Sequence, residues 1–73
     1  MITQKKAKEL MMQGQDVYWY DGDECYECWY EKEESDFLCQ DLSDAFIEPI
    51  GVLWSFGDDF WYTAEEFEAM EAE

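Results

Sequence analysis

The sequence predicts an α+β fold: one domain spanning residues 1–73, with a small antiparallel sheet of two hairpins flanked by N-terminal and C-terminal helices. Three observations carry this. Residues 16–31 carry acidic and aromatic side chains together around Asp21-Gly22, a strong hairpin turn signal because a tight type I′ turn needs positive φ. Thr63 followed by Glu66 forms a capping box ahead of a second helix. Thr3 and Gly14 bracket a first one, as N-cap and C′ residues.

The first helix is expected over Ile2–Gln13. Ala7, Leu10 and Met11 share one face at i, i+3, i+4 spacing, and Ile2 can staple over Ala7. The first hairpin follows at about 16–21 and 24–32. A loop at 21–22 sets Val17 opposite Tyr26, and a loop at 22–23 sets Trp19 opposite Tyr26. Either way Val17, Trp19, Tyr26, Cys28 and Tyr30 share one face, which looks like core. Tyr18, Tyr20, Cys25, Glu27, Trp29 and Glu31 share the other, which is aromatic and anionic at once.

Residues 36–47 read two ways. Phe37, Leu38, Leu42, Ala45 and Phe46 fit a helical stripe, whereas 36–40 fits a fifth strand, the reading favoured here. Glu48-Pro49 ends whatever precedes it. Residues 52–56 and 60–62 are expected to form a second hairpin around Gly57, Asp58 and Asp59. Tyr62 and Phe67 complete a staple on the last helix, which runs to about Ala72 with Phe67 and Met70 inward.

Charge is the loudest signal. The chain holds 20 acids, 4 lysines, no arginine and no histidine, for a net charge of −16. From Glu9 to Glu73 there are 20 acids and one base, Lys32, a net −19. Such a chain repels itself and should not bind nucleic acid, but should bind basic surfaces quickly. Disorder is disfavoured because 48% of residues are apolar and sit in patterned runs. The polar, lysine-rich start and the lack of a long apolar run predict a cytoplasmic protein with reduced cysteines and no membrane span.

Catalysis is poorly supported. Without histidine the usual general base near neutral pH is missing, and without arginine there is no bidentate clamp. Cys25-x-x-Cys28, with Cys39 further on, invites a zinc or redox reading, but positions 25 and 28 have opposite strand parity and point to opposite faces. Residues 21–24 lack the spacing of a calcium loop. No catalytic residue, metal site or cofactor is therefore assigned.

The acidic surface remains. Acids at alternate strand positions lie about 6.6–6.8 Å apart, and acids at i, i+3 and i+4 on a helix lie about 5–6 Å apart. Such rows can imitate backbone phosphates. The candidate partner-binding residues are Asp21, Asp23, Glu24, Glu27 and Glu31, with Tyr18, Tyr20 and Trp29 as anchors. A second patch holds Asp58, Asp59, Glu65, Glu66 and Glu68. The plain alternative is a solvated surface of a very soluble or halophilic protein. Against it stand the near-absence of lysine after Glu9 and the aromatics mixed with the acids.

In size, charge and acid-plus-aromatic strands such as residues 18–24, the chain resembles the small acidic inhibitors of phages and other mobile elements. These include anti-CRISPR, anti-restriction and uracil-DNA glycosylase inhibitor proteins, and the likeness is one of kind across the whole chain. It implies a non-enzymatic viral DNA mimic that blocks the basic cleft of a nuclease, Cas effector, restriction enzyme or glycosylase. The other expectation is an interaction or assembly protein that buries its aromatic face in a homodimer or larger complex.

Overall fold

The computed structural model describes residues 1–71; the expected helical position of Ala72 lies outside the described residues. The fold is α+β, a five-stranded antiparallel sheet with N-terminal and C-terminal helices. The chain runs α1 (Gln4–Met12), β1 (Val17–Tyr20), β2 (Cys25–Glu31), β3 (Asp36–Asp41), β4 (Ile47–Pro49), a 3₁₀ turn (Gly51–Phe56), β5 (Trp61–Thr63) and α2 (Ala64–Glu71). The strand order is β4-β3-β2-β1-β5.

Helix α1 forms where its end signals place it. Thr3 accepts the Lys6 N–H at 3.1 Å. At the other end Gly14 takes φ +90°. Its N–H reaches the Met11 carbonyl, and that of Gln15 reaches Leu10, the paired bonds of a Schellman stop.

The first hairpin adopts the second of its two registers, with Trp19 opposite Tyr26 and Tyr20 opposite Cys25. The register opposing Val17 and Tyr26 is therefore corrected. The turn is corrected as well. Only Gly22 takes positive φ (+102°) and Asp23 does not, the pattern of type II′ rather than I′. The Asp21 carboxylate accepts the N–H groups of Asp23 and Glu24 at 2.9 and 2.8 Å, which holds the tip without a second left-handed residue.

The ambiguous segment is a strand, β3, paired with β2 over its whole length. The expected second hairpin does not form. Residues 51–56 wind into the 3₁₀ turn, and an unexpected strand, β4, pairs with the outer edge of β3. The physical reason is periodicity. A three-residue repeat sets Ile50, Leu53 and Phe56 on the core side, the first two buried and Phe56 half-exposed against Trp19, and leaves Val52 outside, whereas a strand would have alternated. β5 then pairs with β1, so the first and last strands of the chain are neighbours.

One face of the sheet carries the core. Ala7 and Met11 of α1 and Leu53 of the 3₁₀ turn pack on Val17, Trp19, Cys28, Cys39 and Trp61 to form the core. Burying each of the larger side chains contributes about 1.5–3 kcal/mol. The Trp61 indole N–H donates to the Gly57 carbonyl at 2.9 Å.

Both sheet edges are blunted against further strands. At β5, the Ile2 N–H occupies the Trp61 carbonyl at 2.9 Å. At β4, Phe46 and Ile50 bond inward to β3, so Ile47 and Pro49 turn their backbones outward, and Pro49 has no N–H to offer.

Candidate functional site

The second face of the sheet carries most of the expected site. Strand alternation sets Tyr18 and Tyr20 (β1), Glu27, Trp29 and Glu31 (β2), Leu38 and Gln40 (β3), and Ile47 and Pro49 (β4) on it together. Cross-strand rows run Tyr62–Tyr18–Glu27–Gln40–Ile47 and Trp29–Leu38–Pro49.

Helix α2 covers half of this face. The capping box fixes its start: Glu66 Oε1 accepts the Thr63 N–H and Thr63 Oγ accepts the Glu66 N–H, both at 3.0 Å. Phe67, the expected staple residue, stacks flat on Tyr18, with ring centroids 4.3 Å apart and planes 5° apart, and meets the edge of Tyr20 at 6.2 Å. Met70, expected inward, is 37% exposed. With Tyr20, Cys25, Leu42, Phe67 and Glu71 it lines an open groove of about 340 Å³. Tyr18 and Tyr20 are therefore packing residues beneath a helix as much as free anchors. Trp29, beyond the helix, stays half open.

The electrostatics of this face are one-signed. Burial, then the charges of Glu27, Asp16, Cys25 and Glu68, push the Tyr18 hydroxyl up from its ordinary value. The carboxyl of Glu27 is raised too, first by its hydrogen bond with Asp16 and then by burial. Two carboxyl groups thus sit side by side, with no cation between them among the described residues. Three of the four lysines lie on α1, across the sheet, where Lys8 Nζ rests 4.5 Å from the Trp54 ring.

Several candidate acids have other work. Asp21 holds the hairpin tip, and the Glu24 and Asp23 N–H groups lower its pKa. Glu24 accepts the Tyr26 hydroxyl at 3.2 Å. Asp58 accepts the Gln4 N–H at 3.0 Å, placing a negative charge at the N-terminus of α1. Glu66 serves the capping box and also pairs with the terminal amine of Met1. Asp23, Asp59, Glu65 and Glu68 are exposed without such bonds among the described residues. Within the second patch, Asp58 serves α1 and Glu66 serves α2.

The sequence reading missed Leu38, Gln40 and Ile47 as members of this face. The signal for Leu38 and Gln40 was the parity of β3 against β2. Ile47 carried no signal, because β4 was not expected.

The cysteines divide as parity requires. Cys25 lies on the second face, while Cys28 and Cys39 sit buried and directly opposed on the first. All three are free thiols. Among the described residues, no three Cys, Asp or Glu side chains converge as a metal-binding group, and no helix is long and apolar enough to cross a membrane.

The chain matches no protein-family model, no curated protein and no solved structure.

Proposed function

We propose that this protein is an acidic, non-catalytic inhibitor that imitates nucleic acid and occupies the basic cleft of a host defence or DNA-processing enzyme. The observation that supports it most is the segregation of charge about the sheet. Asp16, Glu27, Glu31 and Glu68 lie around an aromatic face, while Lys5, Lys6 and Lys8 belong to the helix on the opposite side. A surface that only kept the chain in solution would need neither the segregation nor the aromatics. Exclusion of substrate would be competitive, by occupying the groups that otherwise bind phosphates.

The test is a tagged pull-down from bacterial lysate at low salt, with a salt-step elution and competition by DNA or RNA. Capture of a nuclease, Cas, restriction or glycosylase subunit that nucleic acid displaces is the expected result. Exposed charges are screened over about 8–10 Å near physiological ionic strength, so binding should fall steeply with salt. Affinity that is flat from low to high salt would overturn the reading.

A second reading is an assembly protein that buries the uncovered apolar part of the same face in a complex. Exposed Ile47 beside half-open Trp29 and Leu38 favours it. Reversing Glu27 and Glu31 to Lys separates the two: it abolishes capture by a mimic and leaves an apolar assembly largely intact.

A further inference from the structure

The two faces of the sheet are treated unequally. The first carries the core under α1 and the 3₁₀ turn. On the second, α2 lies over β5 and β1, through Phe67 against Tyr18 and Tyr20, and its C-terminal end reaches Cys25 at the start of β2. What remains is an uncovered strip across β2, β3 and β4. Trp29 and Leu38 are opposite one another in the ladder, and Ile47, 52% exposed, extends the strip to the edge. Neither Trp29 nor Leu38 joins the core.

We propose that this strip is the surface that meets the cationic partner, with Trp29 as a platform for an arginine guanidinium and Glu27 and Glu31 as its counter-charges. The proposal rests on the inhibitor reading above and names its contact face. Glu27 and Glu31 stand two residues either side of Trp29 on the same strand face, each about 6.7 Å away along the strand. A guanidinium stacked on the indole can turn its N–H groups to either carboxylate, a geometry that lysine's single ammonium satisfies less well.

Charge decides between occupants. A second copy laid on the strip would bring Glu27, Glu31 and the neighbouring Asp16 against their own kind in a chain of net charge −16. A cationic partner does the reverse, because it supplies the positive charge that the adjoining Asp16 and Glu27 carboxyls lack. The hairpin tip is a poorer contact. Its Asp21 is bound to two backbone N–H groups and its Glu24 to the Tyr26 hydroxyl. On the strip, Glu31 makes only a long 3.4 Å contact with the Glu33 N–H.

The test uses nona-arginine and nona-lysine peptides on the full chain at low salt, followed by titration calorimetry and by amide shifts in nuclear magnetic resonance. Nona-arginine is expected to bind about two- to fivefold more tightly, the share a partly exposed cation–π contact supplies. Trp29→Ala should erase that preference, while Phe56→Ala on the opposite face should keep it. Shifts on the unmodified protein should centre on residues 27–31, 36–40 and 47, which tests the proposal independently of whether any variant folds. Equal binding of both peptides, with shifts centred on 21–24 and 65–68, would overturn the strip and leave the inhibitor reading standing. Absence of binding by either peptide would overturn both.

Discussion

Phe67 and Tyr18 lie flat against each other with centroids 4.3 Å apart, and this stack joins α2 to the sheet. Phe67 is the one buried residue of that helix. Phe67→Ala should therefore cost about 3 kcal/mol, the lower end for a buried aromatic beside solvent. It should also free α2 from the second face, seen as faster amide exchange in residues 64–71 than in β2 and β3. Urea denaturation of the variant gives the magnitude.

The Asp16–Glu27 contact makes a prediction about pH. The folded state raises the Glu27 pKa above its ordinary value of 4.5. Between the ordinary and raised values the folded chain binds the extra proton, so this residue's contribution to stability rises as pH falls through that window. Glu27→Gln removes the repulsion permanently. It should raise the melting temperature at pH 7, and the gain should vanish below pH 4.5, where Glu27 is protonated in both states. A variant no more stable than the parent at neutral pH would contradict the contact.

Asp58 and Gln4 are joined across 54 residues by a 3.0 Å bond. Asp58→Ala leaves the Gln4 N–H without its carboxylate and should cost about 1 kcal/mol, the usual loss of an N-terminal cap. Asp59→Ala, one position on and without such a bond, is the control. Thermal melts of the two variants measure the difference.

Cys28 and Cys39 are opposed in the ladder. The Leu42 N–H to Cys25 carbonyl bond sets the alternation that makes 28 and 39 a non-hydrogen-bonded pair, with Cα atoms about 4.5 Å apart. That lies within the span a disulfide bridges. Burial pushes the Cys25 and Cys39 thiols up to about 11 and raises Cys28 as well, so thiolate is scarce at neutral pH. Iodoacetamide should therefore react slowly with the folded chain. A disulfide oxidant such as diamide should slowly consume Cys28 and Cys39 together, each giving up a hydrogen, and leave Cys25 alkylatable. Peptide mapping distinguishes this from any bridge to Cys25.

The parts of this fold that were legible in the sequence are those coded by near neighbours. Thr63 with Glu66, Thr3 with Gly14, and the parity of residues 17–31 each act within a turn or a strand pair. The run 52–56 was misread because an apolar stretch broken only at Ser55 carries too little alternation to tell a period of three from a period of two. The side of the sheet on which α2 packs has no local code at all; it follows from Phe67 finding Tyr18 across more than forty residues. The acidic face was legible as parity. The uses of Asp58 and Glu66 were not, since a carboxylate that caps a distant helix or an amine looks in sequence like any other.

Pro49 and Ile2 have a consequence for the behaviour of the chain in bulk. Fourteen aromatics in 73 residues, arranged largely as strands, are the raw material of cross-β fibres. Mutual repulsion guards against this only while salt is dilute. The stereochemical stops do not weaken with ionic strength, because a missing N–H and an occupied carbonyl are not screened. The chain thus keeps a second safeguard against seeding its own deposition, one that persists where its charge no longer protects it.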